Sequence, residues 1–252
     1  ASKSWTLSSD DGQKTVSVKY KDAVGNWSNP VSDTIILDTT APVIIVNSPN
    51  DNFLTNQATI TLDYTVDGIA KSETRTLSEG FNTLTVSATD LAGNSASKTI
   101  TGVLDTTVPV TTDSGIDNLW HNSPVTVTLT ASDSGSGIGK TYYSTDGSLP
   151  TILYGSPFVI SNEGIYTGKY QSVDKAGNPE LVKGASHQVK IDTAKPAGSI
   201  AINNGNQYTA STSVTLTLSA ADTGSGLSQM QFSNDNISWL TPESYASAKA
   251  WT

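Results

Sequence analysis

Apolar and polar residues alternate along most of this chain, in short runs broken by Gly, Asn, Asp and Pro. Residues 15–20 place Val16, Val18 and Tyr20 on one face, and residues 58–66 place Ile60, Leu62 and Tyr64 on one face. A period of two is the mark of a half-buried strand, because successive side chains point to opposite sides of a sheet. No long stretch has a 3.6-residue apolar period. The pattern predicts strands over residues 5–7, 15–20 and 32–37, then 43–46, 58–66, 72–77, 82–88 and 96–103, and later 125–130. The fold class is therefore all-β.

The strands are grouped by a recurring joint. Asp38-Thr39-Thr40-Ala41-Pro42 returns as Asp105-Thr106-Thr107-Val108-Pro109 and, more loosely, as Asp192-Thr193-Ala194-Lys195-Pro196. Each copy sits between two apolar runs. Proline has a fixed φ and no N–H, so it suits the first residue of a strand, while Asp and Thr satisfy backbone groups where one sheet stops. A second repeat lies ahead of each joint: Asp22-Ala-Val-Gly-Asn26, Asp90-Leu-Ala-Gly-Asn94 and Asp174-Lys-Ala-Gly-Asn178. Its Gly-Asn pair favours positive φ and predicts a hairpin turn.

Measured from the joints, the chain divides into residues 1–40, 41–107, 108–193 and 194–252. The second and third pieces read as complete β-sandwiches, one short and one longer. The first holds only closing strands. The last begins the longer pattern again: residues 214–218 match 125–130, and Asp222-Thr-Gly-Ser-Gly-Leu227 matches Asp133-Ser-Gly-Ser-Gly-Ile138. It has no Asp-x-x-Gly-Asn turn. Its ending, Ala248-Lys-Ala-Trp-Thr252, is similar to Ser2-Lys-Ser-Trp-Thr6 near the start. Joined there, the two outer pieces match the spacing from Asp105 to Asp192 to within a few residues. The expectation is that they are halves of one domain. A piece of about 40 residues with neither disulfide nor metal buries too little surface to stand alone. Completion of one chain's carboxyl-terminal half by the next chain's amino-terminal strands would propagate as a fibre. The residues expected to carry that assembly are Trp5, Val16, Val18 and Tyr20 on one side and Val214, Leu216, Leu218 and Trp251 on the other.

Composition narrows the chemistry. The net charge of −9 argues against nucleic acid, whose phosphates need clustered Lys and Arg. The chain has no cysteine and only two histidines, so a thiol nucleophile is absent and histidine chemistry is scarce. No apolar run is long enough to span a membrane as a helix. Ser134-Gly-Ser-Gly-Ile-Gly-Lys-Thr141 imitates a phosphate-binding loop, but it lacks the required first Gly and leads into the strand-like Tyr142-Tyr143. It reads as a turn. Trp120-His121 offers a sugar-stacking platform or, alternatively, packing at the edge of its own core. The expectation is that the chain is not an enzyme.

The joints and turns together resemble the tandem bacterial immunoglobulin-like repeats of large secreted and surface proteins. Residues 41–104, with Ser48-Pro-Asn-Asp51, Thr55-Asn56 and Glu79-Gly-Phe-Asn-Thr-Leu84, are similar to the glucodextranase-type immunoglobulin-like domain. Residues 116–180, with Trp120-His-Asn122 and Tyr142-Tyr-Ser-Thr-Asp-Gly147, are similar to outer-membrane-associated surface repeats and to the carboxyl-terminal β-sandwich of chitobiase-like enzymes. The resemblance implies tandem immunoglobulin-like sandwiches in an extended array, with incomplete half-domains at both ends. It implies a bacterial extracellular or cell-surface location and a structural role as stalk, spacer or fibre subunit. A carbohydrate- or surface-binding adhesion module is the alternative. It also implies calcium at the joints, with Asp22, Asp38, Asp90, Asp105, Asp174 and Asp192 as ligands, joined by Asn26, Asn94 and Asn178. Calcium takes six to eight oxygens, and each joint supplies only one or two carboxylates.

Overall fold

The computed structural model describes residues 2–184 and 186–252. Nearly every regular element in it is a strand, and no helix among the described residues is long and apolar enough to cross a membrane. Two units are distinguished, residues 1–107 and 108–252.

The first unit opens with β1 (Gly12–Val18) and β2 (Val31–Leu37), which form an antiparallel hairpin with Gly12 opposite Leu37. It continues with β3 (Ile44–Ser48), β4 (Phe53–Thr55), β5 (Thr59–Val66), β6 (Ile69–Thr76), β7 (Gly80–Thr89) and β8 (Ser95–Leu104). These make two sheets, in the orders β3-β5-β6 and β4-β8-β7. Alternation aims Leu62 of β5 at Val86 of β7 and Ile100 of β8, and Ile44, Val46, Phe53, Tyr64 and Leu84 pack around them. The result is a sandwich with its core between the sheets. The short strand β4 runs parallel to β8, with Phe53 opposite Gly102. A Cβ on Gly102 would stand 2.4 Å from the Phe53 ring, so glycine makes room for the aromatic.

The second unit contains β9 (Val110–Ser114), β10 (Trp120–His121), β11 (Val125–Ser132), β12 (Ile138–Ser144), β13 (Ile152–Leu153), β14 (Phe158–Ile160), β15 (Gly164–Thr167), β16 (Lys169–Asp174) and β17 (Gln188–Ile191). The sheet β14-β11-β9 faces β13-β12-β16 and β10-β17-β15. Val125, Val127, Leu129, Ile160, Tyr170, Val189 and Ile191 fill the space between. Beyond them come β18 (Ala197–Ile202), β19 (Val214–Ala221), β20 (Gln229–Met230), β21 (Glu243–Ser244) and β22 (Ala248–Trp251). Strands β18-β19-β22 form one sheet, and β20-β21 form a separate pair.

The all-β reading is met, and most expected strands form within a few residues of their expected ends. The strand expected at residues 5–7 does not: no strand is found in residues 2–11, and Trp5 is exposed. β1 and β2 pair with each other, and among the described residues of this unit no further strand is hydrogen-bonded to their sheet. Trp120-His121, weighed as a sugar platform, forms a parallel pairing with β17. The loop that imitates a phosphate site runs directly into strand β12, so no helix follows it.

Candidate functional site

The three joints share a set of hydrogen bonds built from the same residue types. The joint aspartate bends the chain: Asp38 Oδ1 accepts the Thr40 N–H at 3.1 Å, Asp105 Oδ1 the Thr107 N–H at 3.0 Å, and Asp192 Oδ1 the Ala194 N–H at 3.1 Å. An acceptor two residues back is the Asx turn that Asp supplies at a strand end.

Each joint is also gripped by an acidic residue far away in sequence. Asp11 Oδ1 accepts the Thr39 N–H at 2.9 Å and its hydroxyl at 2.7 Å, and Asp11 Oδ2 accepts the Thr40 hydroxyl at 2.7 Å. Glu79 accepts the Thr106 N–H at 3.1 Å and hydroxyl at 2.9 Å. Glu163 Oε1 accepts the Thr193 hydroxyl at 2.6 Å. In all three the acid is followed by a glycine at positive φ: 116° at Gly12, 88° at Gly80 and 140° at Gly164. Side chains rarely adopt that backbone, so glycine is required to start the strand while the acid turns back to the joint. Sequence reading did not assign this clamp. The available signal was the acid-Gly pair itself, which precedes the turn aspartate by the same interval each time (12 to 22, 80 to 90, 164 to 174).

The Asp-x-x-Gly-Asn turns fold alike. Asp22 Oδ1 accepts N–H groups of Val24 and Asn26, and Asp90 Oδ1 those of Ala92, Gly93 and Asn94. Asp174 Oδ1 accepts those of Gly177 and Asn178. The asparagine amide closes each ring on the other oxygen, at 2.9 Å from Asn26, 2.9 Å from Asn94 and 2.7 Å from Asn178. The Asn94 amide also donates to the Asp38 carbonyl at 3.0 Å, tying this turn to the joint that enters its own domain. In the second unit, Asp133 caps the Gly-Ser-Gly turn, and that turn meets the one at Asp174. Gly137 carbonyl accepts the Lys175 N–H at 2.9 Å, and the Ser136 hydroxyl accepts the Ala176 N–H at 3.1 Å.

These donors govern the acidity of the carboxyls. The Thr39 hydroxyl, then that of Thr40, holds Asp11 below its ordinary value. The Asn26 backbone N–H does so for Asp22, the Asn94 amide for Asp90, and the Ser225 N–H, at 2.6 Å, for Asp192. Asp235 is lowered to about 2 by the N–H groups of Ser238 and Ile237. A carboxyl with a depressed folded pKa contributes stability that is present above its unfolded value and lost as pH falls through the folded one. Melting temperature should therefore stay level from pH 7 to about pH 5, then fall between about pH 4 and pH 2. A melting temperature that rises on acidification through that window contradicts this assignment.

As ligands for calcium, Asp22 and Asp90 are poorly presented. Both oxygens of each carboxylate already accept N–H groups, and the Asp38 carbonyl accepts the Asn94 amide. In the second unit a carboxylate oxygen of Asp133 and one of Asp174 come within 4.8 Å of each other, and both oxygens of each also accept N–H groups. Asp133 was not among the expected ligands. Two carboxylates this close concentrate the negative charge that a hard cation neutralises.

The expected assembly residues differ widely in exposure. Val18 and Tyr20 are 45% and 64% exposed, and Val16 is half-buried. Val214, Leu216 and Leu218 lie on β19, which is paired on both edges, with β18 and with β22, so they present a face and not an edge. Leu216 is buried, and Trp251 of β22 packs against Phe232 with the rings tilted by 38° and their centroids 5.3 Å apart. Beside them, a groove of about 440 Å³ opens among Ile200, Leu218, Leu227, Met230, Phe232 and Tyr245.

No family model matches the chain, and no curated protein matches it. Among solved structures the chain is similar to one described as a tetra-tandem repeat in the extending region of a large adhesion protein. The identity is 16%, over 96% of this chain and 73% of that one, with a TM-score of 0.33.

Proposed function

We propose that this chain is a non-catalytic structural segment, a stalk, spacer or fibre subunit, of a bacterial cell-surface or extracellular protein. The observation that carries this reading is the triplicated joint. Three times, a strand-initiating acid-Gly pair holds the Thr that follows the last strand, and an Asx turn sets the exit direction. Tension applied along the chain at such a joint is shared with a second strand of the same domain through charge-assisted hydrogen bonds, which are stronger than neutral ones. Repetition of one mechanical connection serves length and stiffness; it builds no site for chemistry. The domains of the array are 41–107 and 108–193, flanked by half-domains 1–40 and 194–252 that associate head to tail. A calcium ion held by Asp133 and Asp174 stiffens the second unit.

The test is light scattering and electron microscopy of the chain over a range of concentrations. Elongated head-to-tail oligomers are expected, and a monomer at every concentration refutes the fibre role. Thermal melts with calcium and with chelator check the ion, since a ligand bound only by the folded state raises Tm. Equal melting temperatures refute it.

A further inference from the structure

The acid clamps fix each joint to the domain it leaves. Two further contacts fix joints to the domain they enter, and they use different atoms of the joint aspartate. At the first joint the Asn94 amide, 56 positions away, donates to the Asp38 carbonyl at 3.0 Å. At the third the Ser225 N–H, 33 positions away, donates to Asp192 Oδ2 at 2.6 Å. Asn94 belongs to the short domain pattern, residues 41–107, and Ser225 to the Gly-Ser-Gly turn that marks the longer one.

Asp192 is held from every side. Its N–H donates to the His121 carbonyl of β10 at 2.9 Å, and its Oδ1 accepts the Ala194 N–H at 3.1 Å. Glu163, in the same preceding domain, holds the next residue, Thr193. Oδ2 reaches the domain ahead, and the surface it meets is shaped for it. Asp222 Oδ1 accepts the N–H groups of Gly224 and Gly226, at 3.1 and 2.8 Å, which bends this segment into a turn that presents the Ser225 N–H. A Cβ on Gly224 would stand 2.4 Å from the Asp192 carboxyl carbon and from Oδ2. The φ of Gly224 is not left-handed, so glycine is needed there for space beside the carboxylate and not for backbone freedom.

We infer that the joint aspartate is a two-sided pin that sets the direction between successive domains, its forward side being read by the domain that follows. A following domain of the longer type takes the carboxylate through its Gly-Ser-Gly turn. One of the short type takes the carbonyl through the asparagine of its Asp-x-x-Gly-Asn turn. The inference rests on the structural reading above and adds what fixes one domain to the next. Domains that share a short linker and a small interface move relative to each other by default. At the third joint a carboxylate acts on each side, Glu163 from behind and Asp192 toward the front, and hydrogen bonds to ionised acceptors are strong enough to remove that freedom. The pairing is also selective. A repeat with a side chain in place of Gly224 pushes the carboxylate away and loses the pin.

The chain has no cysteine, so spin labels can be placed by cysteine substitution alone. Labels at Thr126→Cys on β11 and Thr215→Cys on β19, exposed strand positions on opposite sides of the third joint, report its direction as a distance distribution in pulsed electron resonance. The full chain, in chelator and diluted into unlabelled chain, should give one narrow distance. Asp192→Asn keeps an acceptor for the Ala194 N–H but turns an amide toward Ser225, and Gly224→Ala drives the carboxylate off the turn. Each should raise the population outside the narrow peak by about 10- to 100-fold, the weight of one hydrogen bond to a charged group. Asp146→Asn alters an Asx turn inside the domain, at Ser148, and should leave the peak unchanged. Circular dichroism identifies a variant that has lost its strands, and the other joint variant then decides. A broad distribution without any joint substitution overturns the stiff structural reading itself. A narrow one that survives both joint substitutions overturns the pin alone, as does equal broadening by Asp146→Asn.

Discussion

Replacing Glu180 with alanine is expected to destabilise the second unit by about 3–5 kcal/mol, the cost of breaking a buried ion pair from one side. Glu180 is 3% exposed and lies outside any strand, yet it joins three separate parts of the domain. Its Oε2 accepts the Thr111 N–H of β9 at 3.0 Å, and its Oε1 accepts the Ser172 N–H of β16 at 2.8 Å. The Thr111 hydroxyl also donates to Oε1, and Lys183 Nζ sits 2.9 Å from Oε2 while donating to the Thr111 carbonyl at 2.7 Å. The Ser172 hydroxyl bonds those of Thr111 and Thr141, at 2.6 and 2.7 Å, which extends the network to β12. Burial pushes the Glu180 carboxyl up, but the donors from Thr111 and Lys183 outweigh it and hold the group below its ordinary value. Alanine leaves two buried N–H groups without their acceptor and the Lys183 ammonium without its counter-charge. Glutamine retains the shape and one acceptor oxygen, so its loss should be smaller. Urea unfolding followed by circular dichroism checks both. An alanine variant as stable as the wild type removes the network from any role in joining the two sheets.

The second large effect is in the first unit, where Leu62→Ala should cost about 2–5 kcal/mol. Leu62 is fully buried on β5 and meets Val86 and Ile100 from the opposite sheet. This domain is small, and its buried apolar cluster has few members, so truncation leaves a void that neighbours on regular strands cannot close. Leu91, at the tip of the turn between β7 and β8, is fully exposed and serves as the control. Its replacement by alanine should change stability by less than about 0.5 kcal/mol. Equal melting of the two variants would mean that the facing sheets are not held by this cluster.

The two effects differ in how far the sequence announces them. Leu62 is visible from alternation: Ile60, Leu62 and Tyr64 occupy every second position of one run, and the buried face follows. Glu180 carries no such sign. It follows Pro179 in a segment without periodicity, and its partners lie 8 and 69 positions away. The same contrast separates the two halves of the joint. The Asx turn at Asp38 is local and legible, whereas the grip of Asp11 on Thr39 spans 28 positions. The turn from Asp90 to Asn94 was legible as a hairpin. That Asn94 reaches back to the Asp38 carbonyl was not, because nothing in a turn's own sequence says what lies beside it.

By itself, the sequence determined what depends on neighbours along the chain. That includes the strands with their inward faces, the Gly-Asn turns, the proline-started joints and the repeat that marks the outer segments as parts of a larger pattern. Each follows from backbone preferences and side-chain period, which act over a few residues. The tertiary structure alone decided which groups meet across long intervals. It paired β4 and β10 in parallel with distant strands, placed the Phe53 ring over Gly102, and closed acid clamps onto the joints. It also paired β19 on both edges, with β18 and with β22, so that Val214, Leu216 and Leu218 present a face and not an edge. The physical reason is that edge exposure and charge pairing are set by what the folded chain brings alongside, and two strands of identical period become central or edge according to their neighbours.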